Sequence, residues 1–536
     1  MSRQPNVLLI ITDQHRADHL GCAGHPLLRT PHIDALAAEG VRASHFHASS
    51  TTCMSNRATL MTGRLPSLHG VIHNGINLSR DHTTFVELLS TAGYATALIG
   101  KSHLQSFGYD GPLRRKWQNE NDGTPPPAGL QDARKTVRGG PEYDNEWTPD
   151  WKAGKRSTVN TPYYGFQHVE LATFHGDQVQ GDYAQWLADR HPNPDSLRGR
   201  DNALPAPDYR APQAWRTAMP EELYPSTWVG ERTSEWLRRH AKQHPDQPFF
   251  VQMSFPDPHH PFTPPGRYWD MYDPEQVTLP GSFNAPGDSA FVADIYRYTE
   301  SGGSREGYGA FTVSERECKE VQALTFGMIS LIDEQVGHVM ATLKELDQDR
   351  DTIVIFTSDH GDMMGDHGVV LKGAMHFRGL THVPFIWRDP QQGAANHVTD
   401  VPSSTLDLAR TILGRCGLAP FNGMQGLDLA PWLNREAVAQ GAAIPARPGV
   451  IIESEPVVLP NGRTQRYRLR SLVNQDVRLT ISNLPEFCEF YDLRQDPLEQ
   501  RNQWHTQPAQ RAERCTELLV ELSAQADTSP LPTAVA

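Results

Sequence analysis

A chain of 536 residues with 38% hydrophobic content has apolar material for a substantial core, and its length allows two to four domains or one large α/β unit with a small appendage. The net charge of −14 comes without a basic stripe, which argues against nucleic acid as a partner. No apolar run approaches the ~18 residues of a membrane span, so no membrane partner is expected.

Residues 6–11 form a short, partly β-branched apolar run that predicts a buried strand ending in the polar cluster Thr12-Asp13-Gln14. The run is too short for the apolar part of a signal peptide, and its removal would delete a core strand. The six cysteines (Cys22, Cys53, Cys318, Cys416, Cys488, Cys515) are scattered without paired spacing, so a reducing, cytoplasmic location is expected. Helices are predicted over residues 32–39, closed by Gly40, and over residues 55–62 and 84–92. Strands follow at 95–99, 249–253 and 352–356. The longest helical pattern covers 317–346, where Val321, Leu324, Met328, Ile332, Val336, Val339 and Leu343 recur at three- and four-residue steps. Strands alternating with helices predict an α/β fold with a large, mostly parallel sheet flanked by helices.

Residues 104–225 and 262–312 interrupt this rhythm. The first is rich in Pro, Gly, Trp, Asp and Arg, and too long for a structureless loop, so a lid, an oligomer contact or both are expected there. After about residue 445 short strands are predicted at 450–453, 467–473, 477–482 and 489–492, then a helix over 507–524. That divides the chain into a catalytic unit, 1–444, carrying the two insertions, and a smaller C-terminal α+β unit, 445–536.

Ligands of doubly wound sheets bind beyond the carboxyl ends of the strands. Asp13 follows the first strand and Asp359-His360 follow the strand at 352–356, so both reach one rim. Either acid alone is more often a turn residue; together with an imidazole they suggest a divalent metal site. Cys53 stands at the start of the helix over 55–62 with Arg57 one turn on, where helix dipole and guanidinium favour an anion. Taken alone, a cysteine beside an arginine is more often an inert buried thiol.

The segment Thr51-Thr52-Cys53-Met54-Ser55-Asn56-Arg57-Ala58-Thr59-Leu60-Met61-Thr62-Gly63-Arg64 resembles the signature of the sulfatase family, in which a cysteine is oxidised after translation to formylglycine. Around it, Asn6 to Gln14, Thr30-Pro31-His32-Ile33-Asp34-Ala35-Leu36, Gly100-Lys101-Ser102-His103-Leu104, Pro256-Asp257-Pro258-His259-His260-Pro261-Phe262, Ser358-Asp359-His360-Gly361-Asp362 with Lys372, and Glu489-Phe490-Tyr491-Asp492-Leu493 are similar to that family's remaining motifs, in family order. The resemblance implies the alkaline phosphatase-like fold and a formylglycine-generating maturation enzyme as a partner. It also implies one divalent cation held by Asp13, Gln14, Asp359, His360 and the modified Cys53. Calcium suits the oxygen ligands, while His360 admits manganese, zinc or iron. The hydrated aldehyde at Cys53 would be the nucleophile, with Arg57 holding it. Lys101 and Lys372 would bind the non-bridging oxygens of a small-molecule ester. His259, with His260 as the alternative, would protonate the leaving oxygen, and His103 would deprotonate the intermediate so that it collapses. Asn74 is a further candidate for substrate contact, and His367 and His376 read as structural.

Ser55 stands where the signature usually has proline, and Asn56 where serine is common. Gln14 replaces a frequent second aspartate, and His360 a frequent asparagine; both variants resemble the phosphonate monoester hydrolase and phosphodiesterase branch as well as some sulfatases. Hydrolysis of sulfate esters is the expected reaction, with phosphonate monoesters or phosphodiesters as the alternative. A third reading, an inactive binding protein with Cys53 still a thiol, is opposed by the intact set of lysines and histidines.

Overall fold

In the computed structural model, which describes residues 4–108, 127, 129–130, 137–391, 395–434, 447–455 and 467–531, the organising element is β1 (Asn6–Thr12), seven residues that are all buried. A strand buried on both faces needs apolar side chains at consecutive positions, which the sequence Val-Leu-Leu-Ile-Ile supplies. The other strands of the main sheet are β2 (Val41–Ala43), β3 (Ala95–Lys101), β4 (His168–Thr173), β5 (Gln180–Gly181), β6 (Phe249–Ser254), β7 (Thr352–Ser358), β8 (Phe385–Arg388) and β9 (His397–Thr399). They lie in the order β9-β2-β8-β7-β1-β6-β3-β4-β5. The central strands β7, β1, β6 and β3, and β4 beside them, are parallel. Antiparallel pairs join β8 to β7, β8 to β2, and β4 to β5.

Two helical layers cover the sheet, and alternate residues of β1 serve each. Val7, Leu9 and Ile11 face α2 (Cys53–Thr62), α3 (Phe85–Thr91) and a later helix over Thr405–Arg415. Leu8 and Ile10 face α1 (Pro31–Glu39), α4 (Pro225–Gln243) and α5 (Glu315–Glu345). The seven periodic apolar residues of α5 are all buried. At about 1.5–3 kcal/mol per buried side chain their burial outweighs the ~1 kcal/mol each that Gly327 and Gly337 cost the helix. Gly327 is required, since a Cβ there would stand 2.2 Å from the Tyr268 carbonyl; one on Gly337 would stand 2.7 Å from the exposed His32 ring, which would have to shift. Ser314 and Glu317 start α5 with a capping box.

Strands β10 (Val450–Ser454), β11 (Leu469–Val473), β12 (Val477–Ser482) and β13 (Glu489–Asp492) form a separate antiparallel sheet, and a helix over Pro508–Ala524 packs on it. This sheet docks beside α2: Glu453 N donates to Ser49 O at 2.9 Å, and its carboxylate accepts from Ser67. The change of pattern expected near residue 445 falls within 435–446, outside the described residues.

Part of the region 104–225, expected as a lid or an oligomer contact, builds the sheet instead of a separate feature. Residues 168–181 supply β4 and β5 at one edge, followed by a helix over Asp182–Arg190. Only the last three residues of β4 are buried, so it lacks the continuous apolar run that marks the central strands. Among the described residues, no helix is long and apolar enough to cross a membrane.

Candidate active site

Three parallel strands end at one rim, with Asp13, Asp257 and Asp359 just beyond them. Asp13 N donates to Asp257 O at 3.0 Å and Asp359 N to Thr12 O at 3.1 Å, so the ends of β1, β6 and β7 are laced together. Lys101 closes β3 at the same rim. Every residue of α2 is buried, and the helix sets Cys53 in its first turn against these strand ends. Asn56 anchors it: its Oδ1 accepts from Ser49 N at 3.0 Å and Thr405 Oγ at 2.6 Å, and its Nδ2 donates to the carbonyl of Asp359 at 2.5 Å. Asn74 Oδ1 accepts from Met54 N at 3.1 Å and satisfies a backbone donor of the first turn.

Asp13, Cys53, Asp359 and His360 bring one ligand atom each to within 4.8 Å of one another, all buried. His360 Nδ1 donates to Gly361 O at 2.9 Å, which leaves Nε2 for the cluster, 3.0 Å from Cys53 Sγ. Gln14 shares the site: its Nε2 donates to Asp362 Oδ2 at 2.5 Å, and its Oε1 is buried without a partner. Gln14 adopts a φ of 68°, in the left-handed region that few non-glycine residues occupy. Arg57 donates to Asp359 Oδ2 at 2.8 Å and to Lys101 O and Ser254 Oγ at 3.0 Å, leaving only Nη2 unpartnered.

The cationic side completes the cluster. Lys372 Nζ lies 2.8 Å from Cys53 Sγ and 2.8 Å from His360 Nε2. Lys101 Nζ pairs with Asp13 and lies 2.8 Å from His175 Nε2. Burial pushes the Cys53 thiol up, but Lys372 and His360 bring it down to about 7. Burial also acts against the Asp13 carboxylate, yet Lys101 and its neighbouring imidazoles hold it well below the usual range. Burial, reinforced by the surrounding positive charges, holds His103, His259 and His260 well below the ordinary imidazole value. His259 Nδ1 is fixed by His260 O at 2.6 Å, while His259 Nε2, His260 Nε2 and His103 Nδ1 are buried without partners.

The candidate catalytic and metal-binding residues named from the sequence thus lie on or beside this rim, while Asn74 serves the start of α2. His376 is bonded to Ser471 and Ser454, and His367 packs on Phe377, both within the fold's interior. Two further residues come from the 104–225 region. His175, just beyond β4, touches Lys101 and lies 3.4 Å from Asp13 Oδ2. Glu146 accepts from the backbone N–H groups of His103, Leu104 and Gln105 at 2.7–2.9 Å and from Tyr163, and so holds the turn that carries His103. His175 obeys the same strand-end rule as Asp13, but its strand has too weak a pattern to be read. Glu146 has no sequence signal at all.

A mostly parallel sheet with carboxylates, an imidazole, two lysines and a cysteine at its carboxyl rim has the groups that a hydrolase of charged esters needs. A family model described as Sulfatase matches residues 5–418, and the chain belongs to the sulfatase family. It is 30% identical over 435 residues to an arylsulfatase of Clostridium perfringens, covering 80% of this chain and 78% of the relative. It is also 30% identical over 449 residues to the multifunctional alkaline phosphatase superfamily protein PehA of Trinickia caryophylli, covering 80% and 77%. The fold is similar to that of phosphonate monoester hydrolase of Agrobacterium radiobacter, with a TM-score of 0.72, 24% identity and coverage of 97% and 95%.

Proposed function

We propose that the protein hydrolyses sulfate monoesters, with oxidised Cys53 as nucleophile and one divalent cation at Asp13, Asp359, His360 and Gln14. The observation that carries this reading is the pair of buried ammonium groups, Lys101 and Lys372, flanking the Asp13–Cys53 cluster. Two fixed cations in a water-poor pocket favour a head group with several anionic oxygens.

The donor set fits a divalent cation: two carboxylates, an imidazole nitrogen oriented by its own backbone bond, and the unpartnered amide oxygen of Gln14. Calcium suits the oxygens, and the nitrogen admits manganese, zinc or iron. A cation bound there would act as a Lewis acid beside residue 53. The remaining work falls to the chain. Arg57 fixes Asp359 and the end of β3 in register. Lys101 and Lys372 receive the non-bridging oxygens, and Asn74 contributes a polar contact at the start of α2. An anionic head group raises the pKa of nearby imidazoles, so His259 takes up its proton as substrate enters and returns it to the leaving oxygen. His103, held by Glu146, removes a proton from the oxidised residue 53 in the second half of the cycle. A maturation enzyme supplies the oxidation, and the unpaired cysteines support a reducing, cytoplasmic compartment.

Gln14 and His360 favour a second reading, phosphonate monoester or phosphodiester hydrolysis at the same rim. Rates on aryl sulfate, aryl phosphonate monoester and aryl phosphate diester with one leaving group decide between them. The highest kcat/KM is expected on the sulfate. A phosphonate or diester rate about tenfold higher would replace the first reading with the second. No turnover on any of the three, with Cys53 wholly a thiol, would remove both.

A further inference from the structure

A second polar cleft lies where the main sheet meets the antiparallel C-terminal sheet. His45, His47, Arg378, Thr381, His382, Asn474, Gln475, Arg478 and Glu499 contribute its polar lining, and none of them belongs to the catalytic cluster. Three of its nitrogens are buried without a partner: His47 Nε2, on a residue 4% exposed, Arg478 Nη2, on a residue 1% exposed, and His382 Nε2. The rest of the Arg478 guanidinium is committed, through Nε to Glu499 and through Nη1 to Glu489 at 2.8 Å and Thr480 at 3.0 Å, and its plane lies over Phe377 and Tyr491. Arg378 stands at the mouth, largely exposed, and donates through Nε to His382 Nδ1 at 3.4 Å, which leaves the proton of a neutral His382 on Nε2.

The lining is therefore donor-rich. Glu499 is the one carboxylate in it, and both its oxygens are occupied, by Arg478 Nε and by the backbone N–H of Arg378 at 2.8 Å. A cation would find no available carboxylate. An apolar group would leave the Arg478 and His47 nitrogens unsatisfied, each at a real cost in a buried position. A compact group with acceptor oxygens in several directions satisfies Arg478 Nη2 and His382 Nε2 together, with His47 Nε2 joining them in the tautomer whose Nδ1 accepts from Thr381, and Arg378 adds charge from the open side. We infer that this cleft binds a tetrahedral oxyanion, sulfate or phosphate, outside the catalytic site.

The test uses the full chain with its modified residue 53. Selenate soaked into crystals should give an anomalous peak in the cleft beside Arg478 and His47. In solution, titration with sodium sulfate and separately with sodium phosphate should show a site that survives Lys372→Ala. That site should weaken about tenfold in Arg378→Gln and in Gln475→Glu, which respectively remove and oppose the charge at the exposed mouth, while aryl ester turnover stays unchanged. Binding of sulfate identifies the anion the enzyme itself would release, and binding of phosphate alone identifies one from the surroundings; either supports the site. Selenate found only at the catalytic rim, water alone in the cleft, or equal anion affinity in wild type and both mouth variants would overturn it.

Discussion

The imidazoles of His175 and His259 lie face to face, with centroids 3.6 Å apart and planes 10° from parallel. His175 comes from the edge of the sheet and His259 from the turn after β6, so the stack ties the 104–225 region to the proposed acid. With Nδ1 held by His260 O and one face covered, the His259 ring has a single orientation left. His175→Ala should lower kcat/KM about 10- to 100-fold on esters with poor leaving groups, because a displaced acid loses its alignment. His175→Phe should restore part of that loss by restoring the stack. Equal losses in both variants, or a loss independent of leaving group, would point to a structural role instead.

His259 and His103 should separate kinetically. His259→Ala is expected to slow alkyl esters by roughly 10²–10⁴-fold and activated aryl esters far less, since an alkoxide needs a proton to depart. His103→Ala should allow a first turnover and then stall, with the sulfuryl or phosphoryl group retained on residue 53 by mass. Matching leaving-group profiles in the two variants, with no retained group, would reverse the assignment and make His260 the next acid to test.

Asp359 accepts from Arg57 at 2.8 Å as well as belonging to the proposed cation cluster. Asp359→Asn should therefore lose bound metal and turnover together, and Asp13→Ala should do the same. Elemental analysis beside activity is the measurement. Full activity in metal-free protein would refute the cation site.

Cys53→Ala should abolish nearly all turnover while melting close to the parent, since only a small buried side-chain group is removed. In the parent, the peptide containing residue 53 should be lighter than the thiol form and react with aminooxy probes. Full turnover from protein carrying only the free thiol would be incompatible with the proposed nucleophile.

Away from the rim, Glu170 on β4 accepts from Arg232 on α4 at 2.6 and 3.1 Å and from His168 at 2.9 Å. Burial would raise the Glu170 carboxyl, but His168 and Arg232 bring it from 4.5 down to about 2. A depressed carboxylate contributes stability above its unfolded pKa and loses it as pH falls through the folded value. Glu170→Gln should thus cost about 1–3 kcal/mol at pH 7, less below pH 4.5, and almost nothing near pH 2. Urea melts from pH 7 downward would show the gap closing; a constant gap would mean packing rather than charge.

The central strands and α5 were legible because burial on both faces, or on one long stripe, forces apolar residues into runs or a regular period. The rim residues Asp13, Cys53 and Asp359 were legible because they directly follow or begin such elements. His175 was not, since β4, one strand in from the sheet's edge, is fully buried at only its last three residues and carries no continuous run. Glu146 was invisible for another reason. A carboxylate that collects backbone N–H groups across 41–43 residues of chain leaves no local pattern. Nor could the antiparallel β8, four residues long, be told from a loop by period alone.

The position of β1 at the centre of the sheet fixes a timetable. Its two neighbours, β6 and β7, lie at residues 249–254 and 352–358, so the cradle around α2 cannot close until most of the chain exists. At ~5–20 residues per second of synthesis, the ~300 residues between Cys53 and the end of β7 take roughly 15–60 s to emerge. During that interval the segment around Cys53 is an open stretch of peptide, readable by its local sequence. Afterwards Cys53 is 1% exposed and every residue of its helix is covered. Any enzyme that oxidises this cysteine must reach it while the chain is still being made, or hold it back from folding.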